Sequence, residues 1–259
     1  MGCVAAGGRS VDLVVPVKPL RVAKSRLRGA FGEDPAQHAR LVLALALDTI
    51  GAVLAARRVG RLLVMSTDPV VAAGLAAQRV PVVPDGPVPG LNAALEHGAG
   101  LLRAGGAAAV GALQADLPAL RPGDLDAAIG QALAAFAAGR GTRAFCADAA
   151  GTGTTMLVAA PGVALDPRFG RGSAERHRRS GAVELTGARP GLRCDVDTGE
   201  DLRRAAELGL GRHTRGLLAP TARPDLPRLP DPTPLRVHPD VPEGSGARTR
   251  AVGDNRGRG

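Results

Sequence analysis

The strongest constraint on the fold is a succession of short, almost uninterrupted apolar runs separated by stretches of helical character. Val11–Val17, Arg61–Ser66, Val80–Val83 and Ala108–Leu113 have strand length and little alternation. Between them stand a long helix over Pro35–Arg58, a shorter one ending near Gln78, and another over Gly90–Arg103. The long helix carries Pro in its first turn and Arg57–Arg58 at its end, which suits the helix dipole. A strand with one face in water alternates apolar and polar residues, whereas one covered on both faces does not. Unalternating strands separated by helices therefore predict an α/β fold with a largely parallel sheet covered on both sides. The pattern continues with a helix over Pro122–Ala138 and strands near Arg143–Ala147, Thr154–Ala159, Ala182–Leu185 and Leu192–Val196, and it closes with a helix over Glu200–Leu208. In such sheets ligands bind beyond the carboxyl ends of the strands.

This pattern stops near Leu217. Eight prolines fall between Pro220 and Pro242, and the remainder is mostly Gly, Arg and small polar residues. The division expected is one domain over 1–216 and a disordered Pro/Arg/Gly-rich tail over 217–259. The longest nearly apolar run, Leu41–Ala56, is 16 residues and carries Asp48, short and polar for a bilayer span. No charged-then-apolar leader opens the chain, and three scattered cysteines (Cys3, Cys146, Cys194) make no CxxC pair or even framework. Both features predict a cytoplasmic protein with no membrane partner.

The net charge of +9 invites a nucleic-acid reading, but Arg outnumbers Lys 31 to 2 in a chain with 48 Ala. That bias reads as compositional drift. With four Phe and no Tyr or Trp, the chain is also poor in the rings that stack exposed bases. No nucleic-acid partner is expected, and a non-enzymatic basic nucleic-acid binder is the remote alternative. Generic catalytic signatures are missing too. The chain has no GxxxxGK[ST], no GxSxG elbow and no HExxH, and Gly151-Thr152-Gly153 does not complete a dinucleotide fingerprint.

Five segments carry chemistry. The loop Pro16–Leu27 holds both lysines, Lys18 and Lys24; with Arg21, Arg26 and Arg28 it makes five cations in eleven residues, a seat for a polyphosphate. Pro84–Leu95 is a Pro/Gly-rich loop entering a helix, where Gly90, Leu91 and Asn92 can face a nucleotide and Asn92 can read a base edge. Gln114–Pro118 sets Asp116 at the end of a buried strand, suited to a hard divalent cation. Asp195 and Asp197 alternate along an extended run, so one of them is expected to share a metal with Asp116 and the other to cap the next helix. Gly151–Thr155 together with Arg168–His177 pairs glycines with hydroxyl residues in a way that can cradle a phosphate or carboxylate.

Read in order, these segments resemble the phosphoenolpyruvate or 2-phospho-L-lactate guanylyltransferases of coenzyme F-420 biosynthesis. The resemblance rests on PVKPLRVAKSRL, PGLNAAL, ADLPAL, GTGTTML, DPRFGRGSAERH with SGAVEL, and LRCDVDTGEDL through LGLGRHT, from Val14 to about Thr214. It implies a three-layer α/β/α sandwich of the GT-A-like nucleotidyltransferase kind, with Mg²⁺ held by Asp116 and Asp195. It implies GTP as nucleotide and a small phospho-acid held by Thr154, Gly170 and Ser173, with Thr155 an equally placed neighbour of Thr154. Lys18, Lys24 and Arg26 would neutralise the triphosphate. Phosphoenolpyruvate is the expected acceptor because the composition looks actinobacterial. The alternatives are 2-phospho-L-lactate as acceptor, or another small-molecule nucleotidyltransferase of the same fold, such as a cytidylyltransferase. The oligomeric state stays open, a homodimer among the options.

Overall fold

The computed structural model describes residues 10–21, 23–27 and 34–219. Arg28, Cys3 and the tail from residue 220 onward lie outside the described residues, so the expectations placed on them are not addressed. Among the described residues seven strands form one sheet: β1 (Val11–Pro16), β2 (Val59–Met65), β3 (Val82–Val83), β4 (Val110–Leu113), β5 (Arg143–Ala147), β6 (Thr154–Ala159) and β7 (Val183–Glu184). Their order is β3-β2-β1-β4-β6-β5-β7. β1 pairs parallel with β2 and β4, β2 with β3, and β5 with β7. Only β6 runs the other way, antiparallel to both β4 and β5. The cause is local: the six residues from Asp148 to Gly153 turn β5 straight back into β6. The Asp148 carboxylate fixes that turn by accepting from the backbone of Thr152 (2.9 Å) and Gly153 (2.8 Å). It sits so close that a Cβ on Gly153 would lie 2.4 Å from Asp148 Oδ2.

Both sheet faces are apolar, as unalternating strands require, yet the side chains still sort by twos. Val11, Leu13, Val15 and Leu113 enter one core with helices α1 (Pro35–Ala55), α2 (Pro69–Ala76) and α4 (Pro122–Ala137). Val14, Val110 and Ala112 enter the other with α3 (Leu91–Ala104) and α5 (Ser173–Arg179). The result is the expected three-layer arrangement.

A third cluster covers α1 from outside. Leu41, Ala44 and Leu45 pack against Leu202 and Ala205 of α7 (Gly199–Leu208) and Leu217 of α8 (Arg212–Leu218). With apolar partners on two sides, 14 of the 21 residues of α1 are buried. Fully burying a leucine is worth about 1.5–3 kcal/mol, so this double cover holds much of the domain together. The helix is longer than the 16-residue apolar run and, by length and composition alone, would suffice to cross a membrane; 78 % of its apolar 18-residue stretch is buried inside the fold.

The end of the domain departs from expectation in two places. The strand expected near Leu192–Val196 is instead a short helix, α6 (Pro190–Arg193), followed by extended chain. Proline sets the backbone angle that starts a helical turn. Leu192 and Val196 are buried without joining the sheet, and Val196 N–H bonds the Asp116 carbonyl at 3.0 Å. The boundary expected after residue 216 falls inside α8, because Leu217 is buried against α1. Asp48, in the middle of α1, holds that helix by accepting from the backbone of His213 (2.9 Å) and Thr214 (2.8 Å). A helix start leaves its first amides without internal partners, and here a buried carboxylate meets two of them.

Candidate active site

The parallel strands β1 and β4 deliver the loops carrying Lys18 to Arg26 and Gln114 to Asp116 at one edge of the sheet. Because β6 is reversed, its first residue, Thr154, arrives at the same edge. The cleft so formed has a volume of about 930 Å³. Lys18, Lys24 and Arg26 line it with Leu91 and Gln114, as do Thr152, Gly153, Thr154 and Phe169 to Ser173, and the acids Asp116, Asp148, Asp195 and Asp197. A second cavity of about 340 Å³ shares Lys18, Lys24, Arg26 and Asp116 and runs under apolar side chains of α1, Val42, Leu45 and Ala46.

Lys24 is the electrostatic centre. Its backbone adopts φ +54°, a left-handed angle uncommon outside glycine. Its ammonium bonds the carboxylates of Asp116 and Asp197. Burial alone would lower the pKa of Lys24, but these two carboxylates more than reverse that, so it stays charged. Asp195 shows the opposite result. Burial, then repulsion from Asp116 and Asp197, push its carboxyl up to about 7 from 3.8, against a smaller pull from Lys24. Asp116 Oδ1 is buried and has no hydrogen-bond partner.

This donor set fits a divalent cation. An orphaned carboxylate oxygen and an acid kept half-protonated by its neighbours are both satisfied by an added positive charge. Among the described residues no group of three or more His, Cys, Asp or Glu is drawn together as a ready-made metal cage. Such a site suits a hard divalent cation that keeps waters and takes only one or two carboxylates from the protein. Residues 194–198 are not a flat strand, so the alternation expected of Asp195 and Asp197 does not hold: both reach the cleft. Neither caps α7. Thr198 does so, in a reciprocal capping box with Asp201.

A second part of the cleft lining is built from hydroxyls. Thr154 Oγ1 lies 2.9 Å from His177 Nδ1 and accepts from Ser173 Oγ at 3.1 Å. His177 is wholly buried between the rings of Phe145 and Phe169 (centroid distances 5.6 and 5.4 Å). Burial first, then Arg176 and Arg168, lower its pKa to about 4, so it is neutral at pH 7. Thr155 faces away from the cleft: it is fully buried and its hydroxyl donates to the Cys146 carbonyl at 3.4 Å. Of the two adjacent threonines only Thr154 reaches the cavity. Gly170 also lines it, at φ +116°, an angle that a side chain would strain.

Asn92 is corrected more sharply. Its amide is committed at both ends to the backbone of Phe169, donating from Nδ2 to the carbonyl (3.2 Å) and accepting at Oδ1 from the N–H (2.8 Å). One N–H and one lone pair of the amide are left, but Asn92 is not among the residues that line the cleft. Of the three residues expected at the nucleotide, Leu91 lines the cleft and Gly90 starts α3 at φ +117°. Two contributors escaped sequence reasoning. Asp148 shapes the turn before Thr154, and nothing in its spacing marks it. His177 could have been found, because it follows Ser173 by four residues, one helical turn on the same face. Cys146 and Cys194 are buried free thiols outside this chemistry.

No family model matches the chain. It is 52 % identical over 220 residues to the phosphoenolpyruvate guanylyltransferase of Geodermatophilus obscurus, covering 83 % of this chain and 97 % of that protein. It is 53 % identical over 215 residues to the phosphoenolpyruvate guanylyltransferase of Salinispora arenicola, covering 81 % and 95 %. Among solved structures it is similar to a nucleotidyl transferase from Methanothermobacter (TM-score 0.54, 22 % identity, 78 % of this chain and 98 % of that one). It is also similar to a cytidylyltransferase from Leptospira borgpetersenii (TM-score 0.50, 14 % identity, 75 % and 83 %). These likenesses show a nucleotidyltransferase fold.

Proposed function

The chain belongs to the phosphoenolpyruvate guanylyltransferase family, and from that premise we propose that it transfers GMP from GTP to phosphoenolpyruvate. The products are enolpyruvoyl-2-diphospho-5'-guanosine and pyrophosphate, a step we assign to coenzyme F-420 biosynthesis. The observation that carries the reading is the meeting of two unlike groups in one cleft, a lysine with paired carboxylates and a buried hydroxyl pair.

A phosphate oxygen of the acceptor attacks the α-phosphorus of GTP in line. The new P–O bond forms as the bond to the β-phosphate oxygen breaks, and pyrophosphate leaves with the electron pair. The acceptor is already anionic at neutral pH, so the protein needs no nucleophile of its own. Its contribution is positioning and charge neutralisation. Lys18, Lys24 and Arg26 neutralise the triphosphate and the leaving pyrophosphate. Gly90 and Leu91, at the start of α3, meet the nucleoside. Thr154, Gly170 and Ser173 seat the acceptor. Asp116 and Asp195 would hold Mg²⁺, which when bound screens the phosphate charges and withdraws electron density from phosphorus. Lys24 bridges Asp116 and Asp197 and so holds those two acids together.

Mass spectrometry of products from GTP with phosphoenolpyruvate, and from GTP with 2-phospho-L-lactate, tests the reading. Product mass from the first mixture is expected to dominate. Equal or greater conversion of 2-phospho-L-lactate would reassign the acceptor. Asp116→Ala is expected to lose metal-dependent turnover; wild-type turnover in that variant would refute the metal assignment.

A further inference from the structure

His177 touches no part of the cleft directly, yet it sets which way the hydroxyl pair points. Its Nε2 receives the backbone N–H of Arg168 at 3.0 Å. A backbone amide can only donate, so Nε2 is unprotonated and the ring proton sits on Nδ1. Nδ1 lies 2.9 Å from Thr154 Oγ1 and therefore donates to it. A hydroxyl offers one proton and two lone pairs. Thr154 already accepts from His177, and one of the two hydroxyl protons of Thr154 and Ser173 is spent on the 3.1 Å bond between them. Because Ser173 Oγ donates that bond, the remaining proton is that of Thr154, which lines the cleft.

We propose that His177 is a positioning residue for the acceptor, whose Nδ1–H forces the Thr154–Ser173 pair to present a proton, not a lone pair, to an oxyanion of the acceptor. With the opposite tautomer Thr154 would donate its proton to Nδ1, and a lone pair would face the carboxylate or phosphate. The arrangement thus selects anionic acceptors over neutral hydroxyl or ammonium compounds of the same size. Burial between Phe145 and Phe169, and the neutral state of the ring, keep the tautomer from exchanging with water. The proposal deepens the reading above and rests on it for the identity of the acceptor.

Two measurements test it. Nitrogen-15 NMR of the wild-type ring, assigned by loss of the signal in His177→Asn, should show a protonated Nδ1 and an unprotonated Nε2. A protonated Nε2 would overturn the proposal without any dependence on how variants fold. Second, Asn places its amide near the Nδ1 position and Gln near Nε2. His177→Gln, which loses the donor to Thr154, should raise KM for phosphoenolpyruvate by about ten- to a hundredfold, with KM for GTP and the melting temperature far less affected. His177→Asn, which keeps a donor there, should recover much of that KM. Equal KM changes in the two variants would assign His177 a purely structural role and overturn the proposal. Absence of turnover by the wild-type protein with GTP and phosphoenolpyruvate would overturn the functional reading itself, and is seen before any variant is made.

Discussion

Replacing Asn92 by Ala separates a base-reading residue from a clamp. The side chain makes two hydrogen bonds to the backbone of Phe169, at 2.8 and 3.2 Å, and Phe169 is followed directly by Gly170, which lines the cleft. A hydrogen bond of this kind contributes about 0.5–1.5 kcal/mol net. Losing both therefore costs about 1–3 kcal/mol. At 1.4 kcal/mol per tenfold, kcat/KM for phosphoenolpyruvate at saturating GTP should fall by about five- to about 140-fold. KM for GTP, and the preference for GTP over other nucleoside triphosphates, should stay close to wild type. Asn92→Asp should be at least as harmful as Ala, because it sets a carboxylate oxygen against the Phe169 carbonyl. Steady-state pyrophosphate release, with one substrate varied at a time, reads the split. A loss of GTP preference in Asn92→Ala, with acceptor kinetics unchanged, would refute the clamp.

Two further outcomes concern stability. The Asp195 carboxyl titrates near 7 in the folded chain against 3.8 for an unperturbed one, so folding favours its protonated form. Its destabilising effect is absent below about pH 4, grows as pH rises and is complete above about 7, by as much as about 1.4 kcal/mol per pH unit between. Chelator-treated Asp195→Asn should therefore gain stability over wild type at pH 8 relative to pH 5 while losing activity; parallel stability profiles by denaturant melts would refute this. Asp48→Ala strands two backbone amides at the start of α8 and should cost about 3 kcal/mol. Hydrogen exchange should show protection lost in Arg212–Leu218 first, and a cost below about 0.5 kcal/mol would contradict the docking role.

Much of the layering was legible in the sequence because strands covered on both faces must be apolar throughout, and Val11–Val17 or Ala108–Leu113 can hardly be read otherwise. Leu192–Val196 alternates apolar and polar residues as a half-covered strand would, but it joins no sheet, and Pro190 turns the chain first. That competition is tertiary and leaves no local mark. The cleft divides likewise. Lys24, Asp116 and Thr154 stand out because their type and their place after or at a strand coincide. Asn92 misleads because an amide at a helix start is equally suited to a base or to a backbone peptide, and only the position of Phe169, 77 residues away, decides between them. Asp195 and Asp197 mislead because an alternation argument needs an extended strand, and the segment after α6 is not one.

The double cover of α1 also has a consequence in time. Its sheet-facing side can begin to be buried as soon as β2 follows, but the cover for Leu41, Ala44 and Leu45 comes from α7 and α8, which end at Leu218, 163 residues after α1 ends at Ala55. At a synthesis rate of about 5–20 residues per second, that side waits on the order of ten to thirty seconds for its partners. Throughout that interval the nascent chain displays an apolar helix long enough to be taken for a membrane span. The last two helices thus act as closing pieces of assembly, and Asp48, placed mid-helix among the leucines, is the group that receives the final one.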